Sequence, residues 1–436
     1  MLNHKNICWF SRITVMCTSV YMSISLCTAT LSGEPLETAA AETVGMSGEK
    51  LRLVTPALQQ LVDQQRLAGT TAVILRRGKI VYFKSFGFRD VAQNLPMENN
   101  TILRFYSMTK PITSVAAMML VEQGKMQLSD DIAKYAPQFK LLEVFNGLNN
   151  DEITTTKLKR SVTIRDLMRH TSGFTYGFLG NTAIDKQYNA HDVLSRQNTL
   201  SGSMDILGTI PLLYQPGARF NYSVSTDVLG YIVERVSGVD LATFFDKHIF
   251  HPLGMVDTAF HVAPQSQNRF ASVYSGKLFG GITLNEAAGD SPFLQQPKLY
   301  SGGSGLVSTA LDYARFCQML LNLGAFNGTR LLKSKTVAEM TKNQLPPEAF
   351  PMGIIVPRPG IGFGLGFSVV VKSIDPNLPR RIGEYGWSGM ASTHFWVSPQ
   401  DDLAVVVLSQ LVPYTPQLEM TIRPLIYEAI DTGARK

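Results

Sequence analysis

The sequence predicts an α/β fold of the α+β type. One antiparallel sheet comes from both ends of the chain, the terminal helices flank it, and a large, mainly helical region docks against it. First, strand patterns occur near both ends of the chain. They cover residues 70–75, 79–86, 364–371, 392–397 and 403–409. Second, helical apolar spacing occurs in residues 49–66 and 418–430. Third, residues of about 107–332 show helical patterns joined by long loops, between sheet-forming segments 49–106 and 333–436.

Turn residues support this arrangement of strands. Arg76, Arg77 and Gly78 separate the first two strand patterns, which is typical of a strand–turn–strand unit. Residues 399–402, which begin with a proline, are predicted to join the last two strands in a hairpin. The sheet therefore requires strands from the two ends of the chain to assemble together.

The N-terminal segment has the composition of a leader. Residues 1–33 contain no acidic side chain, and Lys5 and Arg12 precede an uncharged stretch over 13–33. This layout predicts a secretory signal peptide, so we expect an exported protein, periplasmic or secreted. Eight Ser or Thr residues interrupt the stretch, which disfavours a stable membrane span. A disordered leader is the alternative. Residues 34–48 are predicted to be a linker and residues 49–436 one domain.

Charge and cysteine content argue against several classes of function. The formal charge is +6, but the 40 basic and 34 acidic residues are interspersed, and the densest basic cluster, Lys157, Lys159 and Arg160, is short and lacks aromatic neighbours. We therefore expect no nucleic-acid binding. Outside the leader only Cys317 remains, so neither a disulfide nor a cysteine-based metal site is expected. The chain contains neither GxGxxG nor a P-loop, and we predict no cofactor and no metal.

The strongest chemical signal is Ser107-Met108-Thr109-Lys110. Residues i and i+3 share a helix face, about 5–6 Å apart at Cβ, so the lysine can take the serine proton when it is neutral. Burial and a helix N-terminus both favour that neutral form. Pro111 fits a first helical turn and places the helix start near Ser107. The spacing alone is weak evidence, because Ser47-Gly48-Glu49-Lys50 repeats it.

Two further segments could complete a catalytic site. Tyr222 precedes an amphipathic helical pattern, and a tyrosine hydroxyl near a lysine can act as general base or acid. A core tyrosine with a bonded hydroxyl is the alternative. Residues 387–390, Trp387-Ser388-Gly389-Met390, are predicted to begin a strand beside Ser107, where the backbone N–H groups of Met390 and Ser107 would form an oxyanion hole. A turn with an aromatic plug is the alternative here.

Between about Gly69 and Ser409 the chain resembles the serine β-lactamase-like superfamily, specifically the class C β-lactamases and their carboxylesterase relatives. The resemblance depends on the order and spacing of several motifs. They are YSMTKPITSVAAMMLVEQGK, TIRDLMRHTSGF, YSVSTDVLGYIVERVSG, FHPLGM, YSGGSGLVSTALDYARF, GFGLGF and GWSGMASTHFWVSP. The resemblance implies an acyl-enzyme mechanism. In it Ser107 attacks the substrate, Lys110 assists, and Tyr222 moves the proton to the leaving group and activates water.

Two departures from the class C pattern indicate the carboxylesterase branch. Val224 stands where those enzymes have the asparagine of Tyr-x-Asn, and Trp387-Ser388-Gly389 replaces Lys-Thr-Gly. The resemblance therefore implies a more apolar site and a small-molecule ester or amide substrate. A β-lactamase, a D-Ala-D-Ala carboxypeptidase or a D-amino-acid peptidase is the alternative, and it would need a replacement cation such as Arg381 or Lys372.

Other chemistries have less support in the sequence. A non-catalytic binding protein of the same fold would have no need of the serine, lysine and tyrosine together. No GxSxG nucleophile elbow accompanies His170 or His394, so a Ser-His-Asp triad is not expected. His170 is predicted to be a structural residue at a helix end. The sequence carries no signal for the oligomeric state.

Overall fold

The computed structural model describes residues 36–277 and 280–430. The predicted signal peptide lies outside the described residues. The strands are β1 Gly69–Arg76, β2 Lys79–Asp90, β3 Leu95–Pro96, β4 Leu103–Arg104, β5 Glu143–Asn149, β6 Glu152–Lys157, β7 Val273–Gly276, β8 Ile282–Glu286, β9 Val307–Ser308, β10 Ala325–Phe326, β11 Thr329–Arg330, β12 Ile361–Phe363, β13 Ser368–Val370, β14 Tyr385–Gly389, β15 Thr393–Ser398, β16 Leu403–Ser409 and β17 Leu411–Val412.

The α-helices vary from single turns to four turns. They are α1 Gly48–Leu51, α2 Val54–Asp63, α3 Thr109–Glu122, α4 Ile164–Met168, α5 Ala183–Ala190, α6 Leu200–Leu207, α7 Ser225–Ser237, α8 Leu241–Phe245, α9 His251–Leu253, α10 Ala310–Leu321, α11 Ser334–Met340 and α12 Gln417–Ala429. In the described part of the chain, none of them has the length and apolar character that a bilayer crossing requires.

The main sheet has eight strands in the order β12-β13-β14-β15-β16-β1-β2-β3, and its neighbours pair antiparallel. Its centre joins the two ends of the chain, because β1 pairs with β16 in the register Thr70↔Ser409 to Arg76↔Leu403. The prediction of one antiparallel sheet from both chain ends is confirmed.

Successive side chains of the central strands point to opposite faces of the sheet, and both faces are buried. On one face, Ile74 and Val405 share a core with Leu58 of α2 and Ile422 of α12. On the other face, side chains such as Val406 belong to the large core that includes α3 and α10. The terminal helices α2 and α12 thus cover one face, as predicted, and the helical region covers the other.

Residues 36–48 differ from the predicted linker, because they pack on the domain. Thr38 forms a parallel bridge with Ile80, and Met46 forms an antiparallel bridge with Ile430. Ala41 and Met46 are buried in the core that α12 covers. Residues 36–48 were predicted to be a linker because they are rich in small residues. Their few apolar side chains are nevertheless spaced so that they fill the core that α12 covers.

The predicted strand over residues 364–371 is instead a tight connection followed by β13. Gly366 has a φ of +98°, and a Cβ at this position would lie 2.3 Å from Ser114 Oγ of α3. The turn therefore needs glycine, and it brings the edge of the sheet against α3, the helix that follows Ser107.

The middle of the chain also contains strands, which the predicted mainly helical block did not anticipate. One is the β5–β6 hairpin, whose turn residues Asn150 and Asp151 both have positive φ. This conformation suits the right-handed twist of a two-residue hairpin turn. Others are the β10–β11 hairpin, β9 paired with β4, and a three-stranded sheet in which β17 pairs parallel with β7 and β7 pairs antiparallel with β8.

Candidate active site

Ser107 lies in a single 3₁₀ turn, Tyr106–Met108, which leads directly into α3. The turn is fixed on its N-terminal side by Phe105, whose N–H donates to the Leu306 carbonyl. Tyr106 has a φ of +43°, which is uncommon for a residue with a side chain and marks local strain next to the serine. The helix begins beside Ser107, as Pro111 predicted.

Lys110 is 1% exposed and its side-chain nitrogen is within reach of three oxygen atoms. Nζ lies 3.2 Å from Ser107 Oγ, 3.1 Å from the Tyr176 hydroxyl and 2.7 Å from the Gly303 carbonyl oxygen. The predicted contact between the serine and the lysine is therefore present. A lysine held by two further acceptors has a fixed position relative to the serine hydroxyl, which proton transfer requires.

Tyr222 lies just before α7 and is 8% exposed. Its ring centroid is 4.6 Å from Lys110 Nζ. The ring also packs between His170 and Trp387, at centroid distances of 4.8 and 5.4 Å. Its buried hydroxyl has no hydrogen-bond partner among the described residues. The core-tyrosine alternative requires a bonded hydroxyl, so this geometry favours a hydroxyl that is available to a substrate.

Sequence reasoning missed Tyr176, which is fully buried and contacts Lys110 directly. Burial raises the pKa of the Tyr176 hydroxyl well above its usual value, and the nearby carboxylate of Asp227 raises it further. Tyr176 therefore stays protonated and accepts a hydrogen bond from Lys110. No spacing rule links it to the Ser107 segment, since the contact joins residues that are 66 apart.

Asp227 on α7 is a second residue that the sequence analysis missed. It is fully buried, and its Oδ1 accepts hydrogen bonds from Ser301 Oγ and from the Gly303 N–H. Burial raises the pKa of its carboxyl group, an effect that the charge of Lys110 opposes. A Cβ on Gly303 would lie 2.3 Å from Asp227 Oδ2 and 3.0 Å from the Tyr176 hydroxyl, so only glycine fits there. A carboxylate in the first turn of α7, next to apolar residues, was the available signal.

The two histidines considered for a triad have other surroundings. His170 follows α4 with a φ of +55° and packs on Phe220 and Tyr222. Burial lowers its pKa well below the usual value, so the ring is neutral. His394 lies on β15, and its Nε2 donates to the Thr415 carbonyl oxygen at 3.1 Å. His170 is thus a residue at a helix end, as predicted, and neither ring contacts Ser107 among the described contacts.

The third predicted segment ends strand β14, whereas the sequence suggested that it begins one. The chain reverses through Met390 and Ser392, which has a φ of +57°, and β15 starts at Thr393. Gly389 is the point of contact with the serine segment, because a Cβ there would lie 2.3 Å from the Phe105 carbonyl oxygen. Met390 follows directly, and its role in an oxyanion hole stays a prediction.

Trp387 and Ser388 lie on opposite faces of β14, as neighbours on a strand do. The Trp387 ring packs against Tyr222 and Phe363, at centroid distances of 5.4 and 5.1 Å. Ser388 instead lines a cavity together with Tyr414. Of the predicted residues of this segment, the structure places Trp387 against the tyrosine and turns the Ser388 side chain away from it.

Neither proposed replacement cation joins the site. Arg381 Nε donates to Asp401 Oδ2 at 2.9 Å, and its guanidinium lies over the Tyr427 ring of α12, on the other face of the sheet. Lys372 is exposed in the loop after β13. An indole ring therefore stands beside Tyr222 where the class C pattern has a lysine. In the described residues there is also no cluster of three or more His, Cys, Asp or Glu side chains that could hold a metal ion.

Comparisons with known proteins agree with the family resemblance of the sequence. The family model described as beta-lactamase matches residues 54–424. Protein Rv1367c of Mycobacterium tuberculosis is 33% identical over 367 residues, which cover 82% of this chain and 89% of that protein. Esterase EstB of Burkholderia gladioli is 28% identical over 368 residues, covering 80% and 88%. The solved structure of EstCE1, a hydrolase with promiscuous acyltransferase activity, superposes with a TM-score of 0.73 at 27% identity and covers 87% of this chain and 99% of that one.

Proposed function

The chain belongs to the beta-lactamase family, and we propose that this serine hydrolase is a carboxylesterase that forms an acyl-enzyme on Ser107. The observation that carries the proposal is the 3.2 Å contact between Lys110 Nζ and Ser107 Oγ inside a buried site. The unpartnered hydroxyl of Tyr222 beside the same lysine supplies a second proton carrier.

In the first step Ser107 Oγ attacks the ester carbonyl carbon and its proton passes to Lys110 Nζ, which this step requires to be in the amine form. The carbonyl oxygen becomes an oxyanion, for which the backbone N–H groups of Ser107 and Met390 are the proposed donors. The carbon–oxygen bond to the alcohol then breaks, and Tyr222 gives that alcohol a proton and takes the serine proton from Lys110 in exchange. In the second step water attacks the acyl carbon and gives a proton to Lys110 through Tyr222. The bond between that carbon and Ser107 Oγ breaks, Oγ takes the proton back from Lys110, and the acid is released.

The two tyrosines at Lys110 have different proposed roles. Tyr176 is held protonated by its raised pKa and by the neighbouring Asp227 carboxylate, so it cannot act as a base near neutral pH. It positions Lys110 by accepting a hydrogen bond from Nζ. Tyr222 has a free hydroxyl, and it is therefore the group that we assign to proton transfer.

The surroundings of the site favour esters of apolar acids over substrates with a carboxylate. Trp387 offers an apolar ring where a cation would hold the carboxylate of a β-lactam or of a terminal D-alanine. Phe178, 68% exposed, packs against Tyr176 with its ring tilted, and Met390, 44% exposed, follows Gly389. The names of EstB, an esterase, and EstCE1, a hydrolase, support the same assignment. A β-lactamase or D-Ala-D-Ala carboxypeptidase is the second candidate, and the pairing of Arg381 with Asp401 counts against it.

The test combines covalent labelling with turnover. A fluorophosphonate probe is expected to label Ser107, as located by peptide mass spectrometry, and p-nitrophenyl butyrate to be hydrolysed. The Ser107→Ala variant should lose both. Ser47→Ala is the matched control, because it removes the serine of the second Ser-x-x-Lys segment, which only caps α1. Label at another serine in folded protein would refute the assignment. Turnover of a chromogenic cephalosporin faster than of the ester would favour the second candidate.

We also propose that residues 1–33 direct export. The absence of acidic residues before Glu34 and the uncharged stretch after Arg12 support this. N-terminal sequencing of protein recovered from the periplasm or the medium of an expressing bacterium should give a start near residues 28–34. Full-length protein confined to the cytoplasm would contradict the proposal.

A further inference from the structure

A cavity lies behind β14, on the side of the sheet that α12 covers. It is lined by residues of β13 to β15, the loop before β12, the segment that precedes β14, and α12. Ser388 and Tyr414 border it, and its volume is about 40 Å³. One water needs about 10–15 Å³ by the same measure, so the space suits a molecule of about three or four non-hydrogen atoms.

The charged side chains around this cavity do not balance. Three arginines face two glutamates, a surplus of one positive charge. Arg423 is paired twice, with Glu384 at 2.5 Å and with Glu419 at 2.9 Å, and Arg380 lies 3.4 Å from Glu419. The guanidinium of Arg358 has no hydrogen-bond or ion-pair partner in residues 36–277 and 280–430.

The remaining titratable groups beside the cluster do not cancel the surplus. His394 is buried and neutral, because burial lowers the pKa of its ring. Tyr427 of α12 donates its hydroxyl to Glu384 and so remains protonated. Asp401 is already paired with Arg381. The unbalanced charge therefore belongs to the cavity itself.

A hydrogen-bond donor at the cavity also lacks an acceptor. Trp396 lines the cavity, is 2% exposed, and its indole N–H has no partner among the described residues. A buried donor without an acceptor is unfavourable, so such groups in folded proteins are nearly always satisfied. Ser388 and Tyr414 bring two hydroxyl groups to the same space. The cavity thus offers donors and positive charge, which an anion would satisfy.

We propose that this cavity binds a small monovalent oxyanion of the carboxylate class, held by the guanidinium groups of Arg358 and Arg380. The planar fork of a guanidinium matches the two oxygens of a carboxylate, and one negative charge balances the surplus. A divalent anion would leave a net negative charge in the cavity. An acetate-sized molecule has the size that the volume allows.

The test measures binding of acetate to the full-length protein by isothermal titration calorimetry, together with the unfolding temperature at constant ionic strength. One saturable site per chain and a saturable rise in unfolding temperature are expected. Arg358→Met should weaken acetate binding roughly tenfold or more, since a charge-assisted hydrogen bond is lost. Because the Arg358 guanidinium makes no hydrogen bond or ion pair in the described part of the chain, this variant leaves no group unpaired. Without acetate its unfolding temperature should change only through loss of the Arg358 charge that lowers the pKa of Glu419.

Lys372→Met is the matched control, because it removes the same charge from an exposed residue that does not line the cavity. It should bind acetate as the wild type does. Equal affinity in Arg358→Met, or no saturable binding in the wild type, would overturn the proposal. Chloride or phosphate that competes as well as acetate would overturn the assignment to carboxylates. None of these outcomes depends on whether Ser107 is the nucleophile.

Discussion

Replacement of Tyr222 by phenylalanine is expected to lower kcat for p-nitrophenyl butyrate by about 10²–10⁴, the usual contribution of a positioned acid or base. This corresponds to about 3–5 kcal/mol of transition-state stabilisation. Stability should not fall, because the Tyr222 hydroxyl has no hydrogen-bond partner that the change would leave unpaired. The ring contacts with His170 and Trp387 remain in the variant.

Tyr176→Phe is the matched comparison, because it also removes one hydroxyl beside Lys110. Here a hydrogen bond from Nζ is lost, so the free energy of unfolding should fall by about 1–3 kcal/mol. Lys110 keeps its contacts with Ser107 and Gly303, and kcat should fall only about tenfold. Urea unfolding and steady-state kinetics measure both quantities. Near-normal turnover in Tyr222→Phe, together with a larger loss in Tyr176→Phe, would refute the division of roles.

Gly389→Ala should lower kcat more than its loss of stability explains, because its Cβ would collide with the Phe105 carbonyl beside the serine segment. Gly386→Ala, on the same strand, meets only β15 and serves as the control. Steady-state kinetics and unfolding of both variants check this. Burial alone would raise the pKa of Asp166, but the hydrogen bonds to its carboxylate lower that pKa to about 2. The ionised carboxylate therefore stabilises the folded state above pH 4, and this stabilisation is lost as the pH falls to 2. The stability difference between wild type and Asp166→Asn should therefore shrink by about 2 kcal/mol over that range in acid unfolding. Burial raises the pKa of Glu234 to about 7. As the pH rises from 4.5 to 7, the unfolded chain ionises this group before the folded protein does, so the folded state loses stability over that range. Glu234→Gln should exceed the wild type in stability by up to about 3 kcal/mol at pH 8 and match it at pH 4.

The sequence predicted the parts of this fold and site that local patterns determine. The apolar runs of β1, β2 and β16 and the helix α12 were found because alternation and helical spacing are local properties. The contact of Ser107 with Lys110 followed from the geometry of one helical turn. Tyr222 was selected through its place before α7, combined with the family resemblance, and its catalytic role stays a prediction.

The parts that were missed depend on contacts between distant segments. Tyr176 reaches Lys110 only because the segment after α4 folds back over α3. The unpaired Arg358 is visible only when the partners of the other charges are known. The segment of Trp387 was predicted to begin a strand, but it ends β14, because Gly389 can serve equally to begin a strand or to end one.

The pairing of β1 with β16 has a consequence for the order of assembly. β1 ends at Arg76 and β16 begins at Leu403, so roughly 330 residues separate them, which ribosomes translate in about 15–65 s at 5–20 residues per second. During that time β1, every residue of which is buried in the finished protein, has one edge without its partner. Chains that stop before β14 would carry Ser107 and Lys110 but not Gly389, and their exposed edge would invite aggregation. High contact order thus makes the hydrolytic centre one of the last parts of the molecule to form, and we expect its folding to depend on chaperones more than that of a protein with local contacts.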